Sequence, residues 1–168
     1  AEYFSIISEQ DPDFSSRICK GLTIDDLDTE AIENMRKLIA DKQKRADANT
    51  IPLKQLLSDL LLINEEGNLK YAALLLLGKS EAINQYLPQA NVVIEYRNSR
   101  SQVRYGARQE YRLPLFTAIE KIWEYIDQPA CNPLLHINDL PRILDCPAFN
   151  KETIREALIN AMIHRSLQ

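Results

Sequence analysis

Near the end of the chain three polar residues, Glu156, Asn160 and His164, recur at a spacing of four. At about 100° per residue on an α-helix they share one arc with Glu152 and Thr153, while Ile154, Ala157, Leu158, Ala161 and Met162 fill the remaining surface. A carboxylate and an amide one turn apart can act together on a hydrated magnesium ion and an attacking water. The amide oxygen holds the metal, and the carboxylate takes or orients the water proton. The same arc equally fits the wet side of an amphipathic helix, and a Glu/Asn pair at this spacing is easily met by chance.

A second constellation is "YRNSRSQVRYGARQEYR", residues 96–112, where Arg97, Arg100, Arg104, Arg108 and Arg112 interleave with Tyr96, Tyr105 and Tyr111. Five Arg against Glu110 leave this stretch at +4 inside a chain of net charge −4. Guanidinium groups pair with phosphates, and rings and guanidinium planes stack on bases, so this is the local surface best suited to nucleic acid. A solvated hairpin with Arg laid over Tyr rings is the alternative.

Other residues carry less chemistry. His136 in the apolar "LLHIN" reads as a structural histidine. Asp25, Asp26 and Asp28 read as a helix-start cluster that complements the helix dipole rather than as metal ligands. Lys79 follows Gly78 in "LLLLGKS", but the upstream Gly and the strand-loop-helix order of a phosphate-binding loop are missing.

The elements that must position these groups belong to an ordinary soluble composition, 45% apolar and 26% charged. The net charge argues against a whole-molecule nucleic-acid clamp, which needs concentrated Lys and Arg. Cys19, Cys131 and Cys146 are odd in number and lack metal-ligand spacing, as expected of reduced thiols in a cytoplasmic protein. The apolar run "YAALLLLG" is far shorter than the ~20 residues of a spanning helix, so no membrane partner is expected. The chain opens without Met and closes inside a helical pattern, which is expected of a truncated fragment of a larger protein.

Periodicity predicts an α+β fold with helices near 29–45, 53–63, 69–77, 114–127 and 150–165. A small, mainly antiparallel sheet is predicted from about 91–98, 103–112, 133–138 and 141–146. Asp28 and Asn150 are the expected N-caps, Pro114 opens a first helical turn, and Asn138-Asp139 is the expected hairpin turn. Residues 1–28 read as an irregular packing arm, 29–90 as a helical subdomain, and 91–168 as an α+β part ending in the motif helix. The segments 53–63 and 69–77 with the Gly67 turn between them fit either a helix-turn-helix or a plain packed pair, and the second helix offers no polar recognition face.

Several phrases taken in order, "DFSSRICKGLTIDDLDTEAI", "GNLKYAALLLLGK" with "LPQANVVIEY", and "ETIREALINAMIHR", resemble the middle region of RecG-related prokaryotic proteins. That family is described as predicted transcriptional regulators or ATP-dependent DNA helicases. The resemblance covers nearly the whole chain, and "REALINAMIHR" is its most specific piece. It implies a Schlafen-like AlbA domain upstream that binds nucleic acid, and a divergent ATPase module of the GHKL type that begins in this region. "EALINAMIH" is similar to the N-box of that module, which implies Glu156 as the water-activating base, Asn160 as the magnesium ligand and His164 as a cofactor-side residue.

The resemblance further implies ATP and magnesium in the parent protein, DNA as its partner, and a cytoplasmic location. A homo-oligomer is compatible with it. Here "HRSLQ" stands where the family continues "HRDY", and no Asp-x-Gly-x-Gly box or glycine-rich lid occurs in the chain, so this region alone is expected to be no ATPase. Three roles stay open for it: a link between DNA binding and nucleotide sensing in a regulator, part of a DNA-dependent ATPase or helicase, or a structural or oligomerising connector without a ligand.

Overall fold

In the computed structural model, which describes residues 13–43, 49–97, 106–139 and 142–163, helix formation begins where the sequence places its acidic cap. The Asp28 carboxylate accepts from the Ala31 N–H at 2.7 Å, satisfying one of the free donors at the start of α1 (Thr29–Gln43). There follow α2 (Leu53–Asp59), α3 (Tyr71–Leu77), α4 (Ser80–Tyr86) and the strands β1 (Val92–Tyr96) and β2 (Ala107–Tyr111). Then come α5 (Leu115–Ile126), β3 (Leu134–Asp139), β4 (Arg142–Pro147) and α6 (Lys151–Ile163). The fold is α+β, as the sequence predicts.

The chain divides into two compact units. Among the described residues the first runs to Ala90 and takes in Arg112–Thr117; the second comprises Asn91–Tyr111 and the residues from Ala118 on.

The first unit is organised around α3. Ala73, Leu74 and Leu77 are fully buried, and every residue of the helix is buried or half-buried. At about 1.5–3 kcal/mol per buried leucine, this apolar helix is held by burial rather than by propensity. Both of its ends are pinned by the preceding irregular segment. At one end Ile18 bridges to Lys70, the Cys19 N–H donates to the Leu69 carbonyl at 2.9 Å, and the Tyr71 N–H donates to the Arg17 carbonyl at 3.0 Å. At the other end Leu27 bridges to Gly78 and the Asp28 N–H donates to the Leu77 carbonyl at 2.6 Å. The described part of the expected arm thus packs, with Cys19, Leu22 and Leu27 in the core and the Phe14 ring 4.5 Å from that of Tyr71; Tyr3, Phe4, Ile6 and Ile7 lie outside the described residues.

A helix-turn-helix does not suit α2 and α3, since α3 exposes no residue that could read a groove, while Leu56 and Leu57 of α2 share one core cluster with Ala73, Leu74 and Leu77 of α3. α2 stops at Asp59, short of the predicted end near 63, because Leu61 turns left-handed with φ 57°. The helix α4 has no counterpart in the sequence reading. It is a single short stretch between the Gly78-Lys79 exit and Pro88, with Ala82 and Ile83 buried.

In the second unit the single small sheet expected from the sequence is replaced by two separate antiparallel hairpins. Val92 pairs with Tyr111 through to Tyr96 with Ala107, and Leu134 pairs with Pro147 through to Asp139 with Arg142. Each strand finds its partner in the nearest strand along the chain, so local closure satisfies both ladders. Asn138 and Asp139 lie inside β3, opposite Ile143 and Arg142, and not in the turn predicted for them. The intervening α5 buries Ala118, Ile119 and Ile122, a stripe at helical spacing.

Candidate functional site on the last helix

The helix carrying the opening motif starts on its predicted cap. The Asn150 Oδ1 accepts from the N–H groups of Glu152 and Thr153 at 2.9 and 3.3 Å. The Lys151 ammonium reaches the Glu120 carboxylate of α5 at 2.9 Å, both side chains being well exposed. Along α6 the residues Glu152, Thr153, Glu156 and Asn160 are exposed, whereas Ile154, Leu158, Ile159 and Met162 are only half-buried. Ala157 and Ala161, expected on the apolar side, are exposed beside the polar arc.

Glu156 and Asn160 therefore do share one face. The Asn160 Nδ2 points toward the Glu156 Oε1 at 3.5 Å, a distance at the weak end of hydrogen bonding. Among the described residues each has only the other as a partner. With the amide nitrogen turned to the carboxylate, the amide oxygen and the second carboxylate oxygen remain as two hard donors on the solvent side. His164 lies outside the described residues.

That donor set can be set against the group it is expected to hold. Among the described residues no cluster of three or more His, Cys, Asp or Glu could cage a metal ion. A magnesium ion, however, typically keeps its waters and takes one or two protein oxygens together with nucleotide phosphates. The pair on α6 fits that mode of binding.

The basic stretch is engaged within the chain wherever it is described. The Arg97 Nη2 lies 2.9 Å from the Glu95 Oε2, and Arg108 lies 3.6 Å from Glu95 and 3.7 Å from Glu110. In the first unit the Arg112 Nη1 donates to the Asn84 Oδ1 at 2.8 Å. Arg100 and Arg104 lie outside the described residues. Glu95 sits just before the stretch whose charge was counted, and the register places it directly opposite Arg108. A cross-strand pairing rule would have found it.

His136 is exposed rather than buried, its Nδ1 paired with the Asp145 carboxylate directly across the hairpin. Lys79 is a structural clamp: its ammonium donates to the Asp25 carbonyl at 2.6 Å and its N–H to the Asp26 carbonyl at 2.8 Å.

Comparison with known proteins gives a family for the first unit. A model described as "Domain of unknown function (DUF8451)" matches residues 4–93. The chain belongs to that family. The DUF8451 segment covers helices α1–α4 and stops within β1, so Glu156 and Asn160 lie beyond it. No curated protein matches the chain. Among solved structures, the crystal structure of the DIP2311 protein from Corynebacterium diphtheriae is similar over 98% of this chain, with a TM-score of 0.65 at 17% identity. This likeness shows a shared fold. The chain spans 31% of that protein's chain. Among the described residues no helix is long and apolar enough to cross a membrane.

Proposed function

We propose that this chain is the central region of a cytoplasmic, DNA-binding transcriptional regulator, and that α6 supplies one wall of a nucleotide site. The observation that carries the reading is the Glu156–Asn160 pair, one turn apart on the exposed face of a capped helix and unclaimed by other described residues. The resemblance of "REALINAMIHR" to a GHKL N-box supports it, and the three free cysteines suit a reducing compartment. In this reading the Asn160 amide oxygen would hold a magnesium ion and the Glu156 carboxylate would orient a water beside it, acting as that water's base only if the parent hydrolyses the nucleotide. The magnesium nucleotide supplies the charge and the phosphate oxygens that the pair would read. Ala157 and Ala161 leave the adjacent surface low enough for a ligand to approach.

Occupancy of the site would bias how the parent protein packs its domains, and so its affinity for DNA; this is a shift of population rather than turnover. DNA contact falls to the 96–112 stretch, chiefly to Arg100 and Arg104. A second reading, a structural connector without a ligand, is favoured by one observation: Glu95 and Glu110 already neutralise Arg97 and Arg108.

The test is the melting temperature of the full-length parent with and without Mg–ATP, compared between wild type and Glu156→Ala. A rise that the variant loses supports the nucleotide site, and phosphate release in the same samples would move the reading to a DNA-dependent ATPase. An unchanged melting temperature leaves the connector. Replacing Arg100, Arg104 and Arg108 with Ala should weaken DNA binding and flatten its salt dependence. Unaltered binding removes the stretch from the interface.

A further inference from the structure

Asn132, in the segment between α5 and β3, has a buried side chain whose amide is fully engaged. Its Nδ2 donates to the Asp127 carboxylate at 2.9 Å and to the Phe149 carbonyl at 3.2 Å, while its Oδ1 accepts from the Phe149 N–H at 2.7 Å. The Asn132 N–H in turn donates to the Gln128 carbonyl at 2.8 Å. An amide that meets both main-chain polar groups of one residue acts as an added strand partner. It fixes the position of Phe149 and also the direction in which the chain leaves it.

What leaves it is α6. Phe149 precedes Asn150, the residue that caps the helix. A chain of hydrogen bonds therefore runs from the end of α5 at Asp127, through the Asn132 amide, to Phe149 and the first turn of α6. Two further braces are present: the Ala148 N–H donates to the Pro133 carbonyl at 3.0 Å, just before Phe149, and the Lys151–Glu120 ion pair is exposed, where such pairs contribute little. Side-chain packing adds only a modest share, since none of the described side chains of α6 is fully buried. A buried amide held by three hydrogen bonds is harder to replace, because its loss strands the groups it satisfied.

We propose that Asn132 is the positioning residue for the Glu156–Asn160 pair, holding the start of α6 so that its polar face keeps one orientation. The functional consequence rests on the nucleotide reading above; the structural half does not.

The test follows amide hydrogen exchange across α6 and Mg–ATP binding in the full-length parent, for wild type, Asn132→Ala and Asn132→Asp. The aspartate keeps the acceptor for the Phe149 N–H, loses both donations, and faces Asp127 with like charge. Adding Asp127→Asn returns a donor between the two positions. Expected are faster exchange from Phe149 through the first turns of α6 in both single variants, and Mg–ATP binding weakened about tenfold or more. Part of each loss should return in the Asn132→Asp/Asp127→Asn double variant. A folded Asn132→Ala protein with unchanged α6 exchange would overturn the proposal, as would loosened exchange with undiminished Mg–ATP binding. If Asn132→Ala does not fold, Asn132→Asp and its double variant decide in the same way. If the wild type binds no Mg–ATP, the nucleotide reading fails by itself, and the positioning of α6 is decided by exchange alone.

Discussion

The Lys70 ammonium donates to the Leu61 carbonyl at 2.8 Å, holding a leucine whose φ is 57° at the end of α2. Around it the helix closes in a double turn: the Leu62 N–H reaches the Leu57 carbonyl at 2.8 Å and the Leu61 N–H reaches the Ser58 carbonyl at 2.9 Å. This is the arrangement in which glycine normally occupies the left-handed position, with an apolar contact between the flanking residues, here Leu57 and Leu62, both buried. Leu61 meets the conformational requirement poorly and gains little in return, as it is 72% exposed. Left-handed backbone costs a non-glycine residue about 1–2 kcal/mol. Leu61→Gly should therefore raise stability by about 1 kcal/mol, or the melting temperature by a few degrees. A lower melting temperature would mean that the leucine side chain contributes something its exposure hides.

Gly78 makes the opposite case. Its φ of −69° is open to any residue, so its freedom of backbone is not what the position uses. A Cβ there would stand 2.6 Å from both the Leu74 Cδ1 and the Leu74 carbonyl oxygen, and Leu74 is fully buried. Gly78→Ala should destabilise the protein by about 1–3 kcal/mol, as overpacking of a filled core does. Chemical denaturation resolves this easily, and an unchanged midpoint would show that the end of α3 yields freely.

What the sequence revealed was local. The caps at Asp28 and Asn150 need only a polar side chain before an apolar period, and both are found as expected. The two hairpins were each legible as adjacent strands, but not their separation into two sheets, because strand pairing is a tertiary choice. The end of α2 was illegible because a leucine carries no sign of a left-handed turn. α4 was missed because seven residues give too little period to detect against the Gly and Pro around them. At the candidate site, helical geometry alone put Glu156 and Asn160 on one solvent face. The hold of Asn132 on Phe149 depends on folding and was out of reach of any pattern in one strand or helix.

Acid should weaken the turn that precedes α1. The Asp26 carboxylate accepts from both the N–H and the hydroxyl of Thr23 at 2.8 Å. These bonds, the main-chain one first, hold its pKa below the usual carboxylate range against a small opposing effect of burial. Since the folded-state pKa is depressed, the stabilisation is present above the unfolded value of about 3.9 and fades as pH falls through the folded value. Asp26→Asn should thus be less stable than wild type at neutral pH, with the gap closing under acid conditions below about pH 4. Melting curves across that range check it; a gap constant with pH would show that the carboxylate charge plays no part.

The Tyr125 hydroxyl on α5 has the reverse problem. It is buried without a hydrogen-bond partner among the described residues, and burial pushes its pKa up. An orphaned buried hydroxyl costs about 1–3 kcal/mol of lost hydration, whereas the ring that carries it packs as well without it. Tyr125→Phe should stabilise the protein by about 1 kcal/mol, moving the denaturant midpoint upward at constant slope. The contrast with Asn132 sharpens the point, since both polar groups are buried in the second unit but only the amide is fully satisfied. If Tyr125→Phe instead destabilises, the hydroxyl has a partner beyond the described residues, and the region around α5 holds a polar contact still to be located.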